Sequence, residues 1–117
     1  VILNLTPHPI RVYADDRPDG LDDLDLGLRR VIDPQPTPAR LGMVPLTSEY
    51  RDGIPVELVE YTHAQDLPGR ADGFSYIVSL PVALGLAMKR SDLLVPYREV
   101  RNASGTVIGC RQLAQPV

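Results

Sequence analysis

The chain has 117 residues, a formal net charge of -3, and 44% hydrophobic and 23% charged residues, the proportions of one globular domain spanning 1–117. Twelve prolines and nine glycines are many for this length and exclude a fold built on long helices. A pI near 5.2 and the lack of a run of about 18 apolar residues speak against a nucleic-acid surface and a transmembrane helix.

The N-terminus has no basic-then-apolar pattern of a signal peptide, and the single Cys110 cannot pair within the chain, so the sequence reads as cytoplasmic. Ile2-Leu-Asn-Leu is the opening strand, and Thr6-Pro-His-Pro must then be extended or turning, because each proline disfavours helix at the residue before it. Ile10-Arg-Val-Tyr is the second strand. Asp15, Asp16, Asp19, Asp22, Asp23 and Asp25 crowd the next stretch, about 14–27, which reads as a mobile, solvated acidic loop. Leu28 to Ile32 is strand material, closed by a stiff connector with Pro34, Pro36 and Pro38.

Two runs of strand length, Arg40 to Tyr50 and Ile54 to Thr62, flank Asp52-Gly53, a strong hairpin signal. Pro45 and Pro55 mark these strands as edges or as carrying bulges. His63 to Gly73 reads as loop, and Phe74 to Val78 as a buried strand. Ser79 is placed as an N-cap with Pro81 in the first turn, opening a helix that runs to about Lys89. That helix has almost no polar face and must be covered on more than one side, by sheet and by a second subunit. Leu93 to Pro96 and Tyr97 to Arg101 are strand material. Asn102-Ala-Ser-Gly turns into a last strand from Thr106, where Gly109 signals a bulge or a close backbone approach. The fold class is α+β: mainly antiparallel β, as a curled sheet or small partly open barrel, with one short helix.

Several stretches together carry a resemblance: Asn4-Leu-Thr-Pro-His8, Arg40 after the proline connector, Gly53-Ile-Pro-Val, Tyr76-Ile-Val-Ser with Val82-Ala, Arg90-x-Asp92, and Gly105 followed by Ile108-Gly-Cys110. They resemble a family of small proteins found in phages, prophages and actinobacterial genomes. The resemblance implies a cytoplasmic protein associated with mobile elements. It implies no reaction and carries no catalytic residues. The acidic insertion between the second and third strands departs from the pattern.

Lys89 is the only lysine, so nearly all cations are arginine. The bias has two readings: the codon usage of a GC-rich genome, or planar guanidinium groups placed for a carboxylate or phosphate. On the second reading the candidate ligand-binding residues are His8, Arg40, Tyr76, Arg90, Arg98, Arg101 and Arg111. His8 lies between two prolines and is held at a defined strand end, with Asn4 and Thr6 near it and its imidazole bonded to a carbonyl. Cys110 as nucleophile would need His8 or His63 beside it and an electropositive setting. No metal-ligand spacing is present, and the aspartates do not follow a calcium loop, because Arg17 stands at a ligand position and Leu26 where the closing glutamate belongs.

The sequence therefore points to a non-enzymatic small binding module of phage or prophage type that needs no cofactor. Its partner would be an anionic small molecule such as a nucleotide immune signal, or a host protein, and it would itself form a homo-oligomer. One alternative is a small hydrolase or transferase using His8 with Cys110 or Asp92. Another is a structural or assembly protein of a phage.

Overall fold

Eight strands and one short helix organise residues 1–85 and 90–117, the part of the chain that the computed structural model describes. In chain order they are β1 (Ile2–Asn4), β2 (Ile10–Tyr13), β3 (Leu28–Ile32), β4 (Arg40–Arg51), β5 (Ile54–Gln65), β6 (Ser75–Ile77), α1 (Leu80–Leu84), β7 (Leu93–Arg101) and β8 (Val107–Ala114). Six strands form one sheet in the order β1-β6-β7-β8-β2-β3, and β4 pairs with β5 alone. The protein is thus mostly β, and its helical part is smaller than the α+β expectation implies.

Most of the strand pairing is antiparallel, as expected, but the six-stranded sheet also contains short parallel ladders that the sequence reading did not anticipate. The pairs β1–β6, β6–β7 and β2–β8 run parallel, although the long ladders, β4–β5 and β7–β8, are antiparallel. Parallel neighbours need long crossovers. Here α1 lies in the crossover from β6 to β7, while β1 and β2 reach strands from the other end of the chain.

Asn4 draws the two outer strands of the six-stranded sheet together. It is fully buried, and its Nδ2 donates to the carbonyls of Ile32 (2.9 Å) and His8 (2.7 Å). Its Oδ1 accepts from the Thr6 N–H (2.9 Å) and hydroxyl (2.6 Å), and its backbone carbonyl accepts from the Gln35 N–H (2.8 Å). A buried amide with every group paired costs little and fixes one arrangement. The result is a curled, nearly closed sheet. Inside it Leu5, Ala39, Tyr76, Val78, Val82 and Leu93 form the core, with Leu41, Ala64 and Leu67 packed against them.

Ser79 precedes α1 in extended conformation but makes no side-chain cap bond, while Pro81 does sit in the first turn. Val82 is the buried side chain of this helix, and Leu80 and Leu84 are exposed. Of the helix expected to reach Lys89, residues 86–89 lie outside the described part. Gly109 meets its expectation: a Cβ there would overlap the carbonyl oxygen of Arg11 and come within 2.7 Å of the Tyr13 ring. Its bare backbone lets β8 lie beside β2.

The β4–β5 hairpin stands apart from this body. Asp52 (φ 48) and Gly53 (φ 76) supply the two positive φ angles of its tight turn, and the register shifts next to Pro45 as the proline predicts. The ladder continues past Thr62 to Gln65, three residues further than the sequence pattern indicates. Residues near the base pack on the core, and Leu41 lies close enough to Gly85 that a Cβ there would meet it at 2.7 Å. The rest projects, which is why the radius of gyration is 16.9 Å against about 13 Å for a compact chain of this length.

Candidate functional site

The acidic loop is built around Arg17, in which the sequence reading saw only a cation that breaks a calcium-loop pattern. Arg17 is 3% exposed, and its guanidinium donates to the carbonyls of Leu26 (2.6 Å), Asp23 (2.7 Å), Leu21 (3.2 Å) and Pro18 (3.2 Å). Its charge also lies 4.8 Å above the Tyr13 ring, a cation–π contact. The expectation of a merely solvated loop is corrected accordingly. Arginine is the one side chain with enough donors in a planar fork to gather several carbonyls at once.

The aspartates then reach across to the β7–β8 hairpin. Asp19 Oδ1 accepts from the Arg101 N–H (3.0 Å) and from Arg111 (3.2 Å), and Asp22 Oδ1 accepts from the Ala103 N–H (3.0 Å). Arg98 pairs with Asp15. Arg111 also donates to the Glu99 carbonyl (2.9 Å) and, through Nε, to the Arg17 carbonyl (3.0 Å). Arg101 donates to Gly105 O (2.8 Å) and Glu99 (3.1 Å). Three of the seven candidate ligand residues are thus gathered together, but their donors are taken up by the loop and by the β7–β8 hairpin itself.

Arg90 and Asp92 lie elsewhere, in a bidentate pair of 3.0 and 2.7 Å that is largely buried. The Arg90 guanidinium holds the Asp92 carboxyl below the ordinary carboxylate range. Tyr76 is buried in the core and its hydroxyl reaches Gly69 O at 3.5 Å. Arg40 is exposed at the base of the arm. These positions do not share a pocket with the Arg98–Arg101–Arg111 group among the described residues.

His8 opens onto a cleft of about 720 Å³ between β2, β8 and the acidic loop, walled by Ile10, Leu24, Pro96 and Ile108, with Arg11, Asp22 and Cys110 also lining it. The part of His8 that Asn4 and Thr6 hold is its carbonyl, not its imidazole, which corrects the expected carbonyl-bonded ring. Cys110 is buried, and burial pushes its thiol up, away from the thiolate a nucleophile needs. Asp92 and His63 do not line this cleft.

The arm is the larger exposed feature. Cross-strand partners share a face of a sheet. Met43 opposite Tyr61, Pro45 opposite Val59 and Tyr50 opposite Pro55 make one face, interrupted by Ser48 opposite Glu57. Val44, Val56, Leu58 and Ile54 lie on the other face, among Thr47, Glu49, Arg51 and Glu60. Tyr50 is 76% exposed, Tyr61 65%, Ile54 63%, Leu46 59% and Met43 57%.

No protein-family model, curated protein or solved structure matches this chain significantly. Sequence reasoning identified the hairpin but not its exposure. The signal was there: both β4 and β5 carry apolar residues at alternate and at intervening positions, so no single covering layer could bury them.

Proposed function

We propose that the protein is a non-enzymatic binding module whose recognition element is the β4–β5 arm, with which it grips another protein chain. The observation that carries this reading is the apolar surface on both faces of a two-stranded ribbon with two open edges. A lone two-stranded ribbon is marginal in water. Covering its apolar area contributes roughly 25 cal/mol per Å², tyrosine and methionine are enriched at protein interfaces, and an open edge offers a row of backbone hydrogen bonds to an added strand. An assembly role suits the resemblance to phage and prophage proteins.

The test is photo-crosslinking in living cells from a benzophenone side chain placed at Tyr61, with the exposed Val107 on the body as control site. An intermolecular adduct from Tyr61 that Val107 does not give is the expected result. No adduct from Tyr61 refutes the reading.

A second reading, an anionic small molecule in the cleft, rests on Arg11 and His8. Both line it, and neither side chain makes a hydrogen bond or ion pair with a described residue. A nucleotide panel read by thermal shift tests it. A shift lost in Arg11→Ala supports the reading, and no shift with any nucleotide ends it.

A further inference from the structure

We infer that the arm's partner is a second copy of this chain, whose β3 edge it joins head to tail. This rests on the arm being the recognition element. Strand β3 ends the sheet order, so one of its edges is open apart from the seam at Ile32. It displays Arg29 and Arg30, both exposed, with Val31 43% exposed, and Arg11 stands opposite Val31 on β2. Arg17, Arg90, Arg98, Arg101 and Arg111 each hold an acceptor. Arg11, Arg29 and Arg30 hold none among the described residues, so this patch keeps its charge for something outside the chain.

The arm supplies the complement. Its β5 strand carries exposed Glu57 and Glu60, and their cross-strand partners put them on opposite faces of the ribbon. Arg30 and Arg11 likewise belong to adjacent pairs of the β2–β3 ladder and so to opposite faces. A β5 strand laid along β3 thus sets its glutamates beside the exposed Arg29 and Arg30 of that edge, with Arg11 one strand further in. Of the arm's two edges β5 is the better donor, because Pro45 interrupts the N–H row in mid-β4 whereas Pro55 stands at the very start of β5. The contact is therefore heterologous, and it propagates into a ring or a filament.

Native mass spectrometry and light scattering of purified protein test this. The wild type should appear as multiples of the 12.9 kDa chain. A Glu57→Arg/Glu60→Arg variant and an Arg29→Glu/Arg30→Glu variant should each run as monomer with an unchanged circular dichroism spectrum. Mixed in equal amounts they should recover the wild-type mass, because each arm then meets an edge of opposite charge. Variants that stay assembled when alone, or a mixture that stays monomeric, overturn the head-to-tail contact. A wild type that is monomeric at every concentration overturns the self-partner; if Tyr61 still crosslinks to a different protein in cells, the arm reading stands without it.

Discussion

Truncating Arg17 should loosen the acidic loop before it unfolds the body. In Arg17→Ala, four carbonyls lose their donor and Tyr13 loses its cation. A hydrogen bond from a charged donor is worth about 1.5–3 kcal/mol. Counting the two short bonds, to Leu26 and Asp23, fully would give roughly 3–6 kcal/mol. Leu21, Asp23 and Leu26 are themselves exposed, so water replaces part of what is lost. The expected cost is about 3 kcal/mol, a large share of a small domain's 5–15 kcal/mol. Arg17→Lys, with one ammonium for the fork, should fall between. Urea unfolding gives the total, and amide exchange across 14–27 locates it. An Arg17→Ala variant within about 0.5 kcal/mol of wild type, or one that unfolds globally while loop exchange is unchanged, would refute the assignment of Arg17 as the loop's organiser.

Acid should weaken the fold through Asp92 and Asp19. The Arg90 guanidinium lowers Asp92, and the Arg101 N–H followed by Arg111 lowers Asp19, both from an ordinary 3.8. A carboxyl depressed in the folded state contributes fully above its unfolded value and loses that contribution as pH falls through its folded value, so stability should drop below about pH 4. Asp92→Asn should flatten that limb, and an unchanged slope would count against the pair. Cys110, raised by burial, should resist a thiol reagent at neutral pH in the folded protein and react fully in denaturant; brisk reaction of the native protein would contradict its burial. Gly109→Ala should cost about 1–3 kcal/mol by overpacking against Arg11 and Tyr13, read as a lower urea midpoint, and a neutral substitution would show that β8 can move away from β2.

Much of the element order was legible because it depends on local chemistry. Asp52-Gly53 can take two positive φ angles, Pro45 disturbs a ladder, and Gly109 has no Cβ; each did what its covalent structure dictates. The curl was anticipated, but the strand order and the short parallel ladders were not legible, because a strand's own pattern does not say which neighbour it meets or which way that neighbour runs. Asn4 illustrates this: nothing beside it in sequence announces that Ile32 and Gln35 will arrive as its partners. The candidate site suffered most. Arg98, Arg101 and Arg111 were read as free for an anion, yet Arg98 and Arg111 find acceptors on a loop about 80–90 residues earlier, and the Arg101 guanidinium finds Gly105 and Glu99 within its own hairpin. The organising role of Arg17 was not legible, because its partners are carbonyls, which every residue has and no side-chain pattern reveals. His8 did reach a cleft, though the group held in place is its backbone.

The pairing of Val12 with Cys110 has a consequence for how the molecule is made on the ribosome. The second strand can pair with β3 early but meets β8 only once Cys110 has emerged, and the first waits for residues 75–77. The hairpin of residues 40–65 needs no such wait, since its partners follow one another directly and hairpins close in microseconds. The nascent chain therefore displays a finished, sticky ribbon well before the body beneath it can close. On the proposed head-to-tail contact, chains made from one message would meet through that ribbon first, and association and folding would overlap in time.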